Sequence, residues 1–203
     1  MGCCSSRSSD SPASRAARWR STGIVALRDA RLKEVPIEVL QVGNSLRTLD
    51  LTNNKLVEIP QDIGGLVNMQ RLVLAGNLIE NIPANIGYLR NLKILTLDRN
   101  RISILPEELG SLSNLQQLSI SQNSLLCLPK SVGDLHNLPQ NILKDCKALQ
   151  NISLHDNPIT MDDFRQMDGF NEFEARRRKK FDKQIDSRVM MGSMALDEGV
   201  DFH

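Results

Sequence analysis

The sequence predicts an α/β solenoid. Its strands stack into one curved parallel sheet on the concave side, its convex side is irregular, 3-10 or short helical, and a helical cap closes the C-terminal end. Three observations predict it. Residues 46–129 hold four copies of one pattern: LRTLDLTNNKLVEIP, MQRLVLAGNLIENIP, LKILTLDRNRISILP and LQQLSISQNSLLCLP. Asparagines at Asn54, Asn77, Asn100 and Asn123, and prolines at Pro60, Pro83, Pro106 and Pro129, both step by 23 residues. A second shared piece, IGGLVN, IGYLRN and LGSLSN, fills the intervals. Coils repeating at such a period cannot bury their apolar rows singly and do so by stacking.

Each position has a physical reason. Side chains alternate along a strand, so Leu49 and Leu51 point inward, and Leu72/Leu74, Leu95/Leu97 and Leu118/Ile120 stack on them. The asparagines close the turn after each strand, because an Asn side chain bonds nearby backbone groups. The prolines, without an N–H and fixed in φ, open the convex return. Gly64, Gly87, Gly110 and Gly133 fit a turn or a close approach there. Strands are expected near 25–27, 48–52, 71–75, 94–98, 117–121 and 151–155. The period and consensus resemble those of a leucine-rich repeat.

The 203 residues allow one elongated domain with tails, and 25 basic against 24 acidic side chains leave no field that calls for nucleic acid. Seven aromatics among so many leucines and isoleucines assign the core to aliphatics. No apolar run approaches the roughly 18 residues of a membrane span, and no signal-type apolar segment follows Met1. Cys127 and Cys146 stand singly and are expected as reduced thiols of a cytosolic protein. Asn151-Ile-Ser153 matches a glycosylation acceptor but falls in an expected strand.

The N-terminus, MGCCSSRSSD, carries the strongest functional signal. With Met1 removed, Gly2 and Ser6 satisfy a myristoylation pattern, and Cys3 and Cys4 lie beside it for palmitoylation. One acyl chain binds a membrane only marginally, whereas two anchor stably. Arg7, Arg15, Arg18 and Arg20 add attraction to anionic lipid. Against this stands a plain Ser/Arg tail that begins Met-Gly. Residues 1–21 are expected as a flexible acylated tether. TGIVALRDARLKEVP then aligns with the repeat when Pro36 is laid on Pro60, with Ala30 replacing the asparagine. It is a degenerate first coil that caps the open end.

The array, expected over 22–160, goes out of step after Pro129. The ladder position at 146 is Cys146, and the next strand-like segment is LQNISLHDN, ending at Asn157. Two return-like segments, LPKSVGDLHN and LPQNILKDCKAL, stand in series between them. A block of sequence is missing relative to an ancestor with more repeats. Residues 130–149 are therefore expected as one irregular, oversized coil, with the strand at 151–155 pairing directly with 117–121. The rival geometry makes 140–144 a strand, against Pro139 and an inward Asn141. A helical cap is expected at 161–190, opened by Thr160 and Asp163 at capping-box spacing, and 191–203 as a disordered tail. Four of the five phenylalanines lie between 164 and 181. Arg176, Arg177, Arg178, Lys179 and Lys180 read as a solvated helix face, with a second lipid contact and nuclear import as the alternatives.

These features resemble small intracellular leucine-rich-repeat proteins of the Ras-group-related class, including the plant intracellular members, and small myristoylatable cytosolic members ending in an aromatic, Lys/Arg-rich helix. The resemblance covers about residues 22–185, and MDGFNEFEARRRKKF is its most specific part. It implies a non-catalytic scaffold in signalling. The departure at 130–149 puts the family's binding surface in question.

Repeat proteins bind partners on the concave sheet. The candidate partner-binding residues are Asp50, Arg71, Val73, Ile94, Thr96, Asp98, Arg99 and Gln117. Arg71, Val73 and Ile94 make an apolar group with an arginine, the composition of an interface hot spot. No nucleophile–base pair, metal-ligand cluster or phosphate loop stands out, so neither catalytic nor metal residues are assigned and no cofactor is expected. The expectation is a monomeric scaffold on the cytosolic face of a membrane, bound to a protein partner. The rivals are a shortened variant with impaired binding and, remotely, an enzyme.

Overall fold

The computed structural model describes residues 12–126, 128 and 142–194, with side-chain environments up to 182. One sheet of six parallel strands runs in chain order: β1 (Ile24–Ala26), β2 (Thr48–Asp50), β3 (Arg71–Val73), β4 (Ile94–Thr96), β5 (Gln117–Ser119) and β6 (Asn151–Ser153). Regular pairing is short, but the ladder continues past each strand, as in the Leu51 N–H to Val73 carbonyl bond of 2.9 Å and the Leu74 N–H to Thr96 carbonyl bond of 2.8 Å. The convex side carries 3-10 turns at Gln61–Gly65, Ala84–Tyr88 and Glu107–Ser111, each entered through its ladder proline. The strands thus fall where the leucine phase puts them.

The inward rows Val25, Leu49, Leu72, Leu95 and Leu118, and Leu51, Leu74, Leu97 and Ile120, are buried, most of them completely. Burying a leucine contributes roughly 1.5–3 kcal/mol, so these rows are the main stabilising term. Beside them runs the asparagine ladder. Asn100 donates to the Leu74 and Leu97 carbonyls at 3.0 and 2.9 Å and accepts from Ile79 N–H at 3.1 Å. Each asparagine thereby binds its own coil and the preceding one. A second ladder, which the consensus alone did not single out, crosses the convex return. Asn68, Asn91 and Asn114 donate to the carbonyls of Asn44, Val67 and Arg90 at 2.8–3.0 Å. Gly64 and Gly87 lie so close to the next coil that an added Cβ would sit 2.7 Å from the Asn85 or Glu108 carbonyl.

At the N-terminal end the structure corrects the expected tether over residues 12–21, while residues 1–11 lie outside the described residues. Residues Pro12–Thr22 form helix α1, and Trp19 is buried against the first coil. Alanines at 13, 16 and 17 favour a helix. Gly23, at φ +68°, ends it with a 2.8 Å bond back to the Trp19 carbonyl, a glycine C-terminal signal. Trp19 supplies apolar cover that the degenerate coil lacks. A short helix α2 (Ile37–Leu40) makes the first convex return.

Across the break, β5 pairs β6 in parallel with Gln117↔Asn151, Leu118↔Ile152 and Ser119↔Ser153. Asp98 and Ser121, on successive regular coils, are 23 residues apart, whereas Ser121 and His155 across the break are 34 residues apart. The asparagine ladder continues undisturbed. Asn157 donates to the Ile120 and Leu154 carbonyls at 2.8 and 3.0 Å and accepts from Leu125 N–H at 3.0 Å. The described part of the rival strand, residues 142–144, is instead in helix α3 (Ile142–Asp145), packed on the Glu107–Ser111 turn, and residues 140 and 141 lie outside the described residues. Cys146 donates its thiol to the Leu109 carbonyl at 3.2 Å. The Leu149 N–H to Cys146 carbonyl bond repeats that of Leu115 to Leu112, both at 2.9 Å. The described convex part of the last coil is therefore regular. Val132, Leu135, Pro139 and Gly133 fall outside the described residues.

The C-terminal cap consists of α4 (Met161–Arg165) and α5 (Phe170–Met194), the latter running beyond the expected limit at 190. Thr160 and Asp163 form the capping box, with both reciprocal bonds present. Phe164 stands edge-on to Phe170 and Phe173, with ring centroids 5.4 and 6.1 Å apart.

Candidate functional site

The register sets three rows of outward side chains across the concave face. The first holds Ile24, Thr48, Arg71, Ile94, Gln117 and Asn151. In the second stand Ala26, Asp50, Val73, Thr96, Ser119 and Ser153. The third, past the regular pairing, contains Thr52, Ala75, Asp98, Ser121 and His155. Neighbours within a row are about 4.8 Å apart. Arg71 and Ile94 are thus direct cross-strand partners, with Val73 two positions along, as the alternation implied.

The two acidic candidates are engaged within the fold. Asp50 is buried and receives the Arg28 guanidinium at 2.5 Å and both Thr52 N–H and hydroxyl at 3.1 and 2.6 Å. Burial pushes its carboxyl upward, but the Arg28 and Thr52 hydrogen bonds outweigh that and hold it below the ordinary aspartate value. Asp98 accepts the Ser119 hydroxyl at 2.8 Å and Ser121 N–H at 2.7 Å, clamping β4 to β5. These carboxylates stiffen the face. Arg99 sits at φ +56° in the turn beyond β4, on the lip of the concavity.

Around β3 and the start of β4, what remains outward and uncommitted is mainly apolar and basic. Arg71 is exposed and makes no side-chain hydrogen bond among the described residues, and Ile94, Val73 and Thr96 are half-buried beside it. Gln117 is exposed on the same row. Two residues of the first coil belong to the surface and were not singled out from sequence. Ile24 is 53% exposed at the end of the Arg71 row, and Arg28 presents its guanidinium next to Asp50. Their signal is the first-coil alignment itself, which puts Ile24 on Thr48.

The basic run is divided by the structure. Arg176 turns inward and donates to the Leu149 and Leu143 carbonyls. Burial lowers its pKa. Arg177 and Arg178 both approach Glu174, and Arg177 lies over the Phe181 ring. Lys179 is exposed and Lys180 half-buried. Between β6 and the cap helices lies a groove of about 600 Å³, lined by Ile152, His155, Phe173, Arg177 and Phe181 among others. The lipidation residues Gly2, Cys3 and Cys4, and Cys127, lie outside the described residues. Cys146 is buried and free, its thiol pushed up to about 12 by that burial, so it stays protonated. Among the described residues no helix is long and apolar enough to cross a membrane.

Comparison with known proteins agrees with this architecture. A leucine-rich repeat region model matches residues 19–138. The chain is 66% identical, over 262 aligned positions covering all of both chains, to plant intracellular Ras-group-related LRR protein 7 of Oryza sativa subsp. japonica. A shorter match, 51% over 57 residues and 15% of the relative, is to protein 8 of the same group in rice. Among solved structures, a leucine-rich-repeat protein of Leptospira interrogans superposes with a TM-score of 0.52 at 28% identity over 70% of this chain and 39% of that one. The plant peptide hormone receptor RGFR1, solved in complex with RGF2, gives 0.51 at 32% identity, over 61% of this chain and 19% of the receptor. The chain belongs to the leucine-rich-repeat family, in its plant intracellular Ras-group-related group.

Proposed function

We propose that the protein is a non-catalytic scaffold that binds a protein partner on its concave face and is held on the cytosolic face of a membrane by acyl chains at Gly2, Cys3 and Cys4. The observation that carries the binding reading is the state of the face. Asp50, Asp98, Ser119 and Thr52 commit their polar groups to one another and to Arg28, whereas Arg71 beside Ile94 and Val73 is left outward. A rigid sheet with one arginine over an apolar pair has the composition of an interface hot spot. The relatives support the class: one is named an intracellular Ras-group-related protein, and the neighbour described as a plant peptide hormone receptor was solved in complex with RGF2. The scaffold acts as a monomer in signalling. Thr96, Arg99 and Gln117 complete the contact, and the exposed Lys179, clear of the carboxylate that occupies Arg177 and Arg178, is available to anionic lipid, whereas the half-buried Lys180 reaches the Asn151 side chain.

The test is affinity capture with the parent and with Arg71→Glu/Ile94→Asp. Partners that remain bound to the double variant at parental levels refute the concave site. Fractionation of Gly2→Ala tests the tether: parental membrane binding by the variant refutes acyl anchoring. A second reading, a shortened variant with impaired binding, is favoured by the lengthened step between β5 and β6. It predicts that parent and double variant capture equally little.

A further inference from the structure

The ladder prolines are a ruler. Pro60, Pro83, Pro106 and Pro129 keep one constant step, and Pro60 to Asn77, Pro83 to Asn100 and Pro106 to Asn123 keep another. The interval from Pro139 to Asn157 matches the second, with one position added. The packing of the last coil fits that assignment. Cys146 and Leu149 repeat the bond made by Leu112 and Leu115, and Asn157 fills the ladder site beside Asn123. By its place in the sequence Pro139 corresponds to the opening prolines of the other coils.

Pro129 and Pro139 are then consecutive ladder prolines much less than one period apart. Any block whose loss created that spacing must restore a whole number of periods, so phase admits only a few lengths and nothing between. The alignment with the rice relative supplies an independent number. It runs over 262 positions while this chain has 203 residues, leaving 59 positions with no counterpart here. Restored between the two prolines, that length places Pro139 three full periods after Pro129. With the one position of slack that the array shows either way, a chance agreement has odds of about three in 23.

We infer that this chain is an array of nine strands from which one block of that length, carrying three strands, has been removed at a seam between Pro129 and Pro139. The cut keeps one copy of the return-like sequence up to Asn137 and resumes at the Leu138-Pro139 pair of the copy three periods on. Such a cut recloses the core, because every coil offers the same leucine rows and the same asparagine site to its neighbour. It also rebuilds the binding surface. Gln117 now partners Asn151, and Ser121 Oγ lies 2.9 Å from His155 Nδ1. In the longer array these residues stand four strand spacings, about 19 Å, apart. The half of the face around Arg71 and Ile94 is shared by both lengths, and the half around His155 is particular to this one. A protein that touches only β1–β4 binds both lengths, and one that reaches past β5 distinguishes them.

The experiment inserts, between Asn137 and Leu138, the three-period block of the rice relative that the inference places there. Circular dichroism is expected to show the sheet signal rising by about half, from six strands to nine, with one cooperative melt. Small-angle scattering is expected to lengthen the particle by about 14 Å, three strand spacings. An unchanged sheet signal, with the insert cleaved by protease while the core stays intact, overturns the inference. The reciprocal deletion in the rice relative gives a second readout that does not depend on the graft folding. A soluble, cooperatively melting product supports the seam, and a molten or aggregated one overturns it.

Discussion

The middle coils and the last coil satisfy the same backbone groups by different means. Between Leu46 and Leu125 the chain returns at one fixed interval, and each inward leucine is sealed on both sides by another coil. The last coil takes a longer path, with Ser121 and His155 34 residues apart, yet it meets β5 with the same register and the same asparagine bonds. It has a neighbour on one side only, so Ile152 and Leu154 stay half-buried and lean on the phenylalanines of the cap. A solenoid of this kind specifies the interface between coils, not the length of the path between them. Extra loop costs only about 0.6 kcal/mol per doubling, whereas an unpaired edge and open leucine row cost far more.

That contrast ranks the ladder asparagines. Asn100→Ala leaves the buried Ile79 N–H unmet, at about 1–3 kcal/mol, and takes one of two asparagine donors from each of the Leu74 and Leu97 carbonyls, which keep Asn77 and Asn123. Its urea melt is expected to lose about 4 kcal/mol. Asn157→Ala removes bonds of the same kind at the solvated end and is expected to lose about 2 kcal/mol. Equal losses would show that the last coil is sealed as well as the middle ones.

The glycines sharpen the point. A methyl on Gly87 meets the Glu108 carbonyl at 2.7 Å, a backbone atom held between two coils. Gly87→Ala is expected to cost about 2–3 kcal/mol by overpacking. Gly169→Ala meets Lys144 N at 2.9 Å and also strains a φ of +84°, but the cap is free to shift on its single neighbour. About 1–2 kcal/mol is expected there, and thermal melts of the two variants decide the order. A smaller effect is expected at Arg176, whose guanidinium holds the Leu143 and Leu149 carbonyls. Arg176→Ala should cost about 1 kcal/mol after discounting for its partial exposure. Hydrogen exchange should rise in 142–155 and stay unchanged in 70–100.

How much of this was legible follows from where the partners lie in sequence. Leu72, Asn77 and Pro83 announce themselves because their structural partners are their own copies one period away. The pairing of β5 with β6 was legible for the same reason, since Ile152, Leu154 and Asn157 match Leu118, Ile120 and Asn123 whatever lies between. Helix α1 was not, because its anchor is the single Trp19 on an Arg/Ser/Ala background and its target is a coil that departs from the consensus. The engagement of Asp50 and Asp98 was hidden too. A carboxylate on an outward strand position looks available until Arg28, 22 residues earlier, or Ser119, 21 residues later, is seen to reach it.

The smallest expected effect lies at the other end of the array and is electrostatic. Asp50 titrates below its ordinary range in the folded chain, burial being outweighed by bonds from Arg28 and Thr52. A carboxyl whose folded pKa is depressed binds fewer protons than its unfolded counterpart, so it stabilises the fold above the ordinary aspartate pKa. That contribution fades as pH falls through the ordinary value and is gone below the folded one. Arg28→Ala removes the largest lowering influence while Thr52 and the burial remain. The variant is therefore expected to be less stable than the parent at neutral pH, and the gap to close as pH drops through the range below 3.8. Arg28 is largely solvated, so the gap should also narrow in high salt. Urea midpoints of parent and variant, measured from neutral pH downward, give the test. A gap that stays constant with pH would mean that Arg28 stabilises the first coil by packing its aliphatic stem, and that Asp50 is held by Thr52 alone.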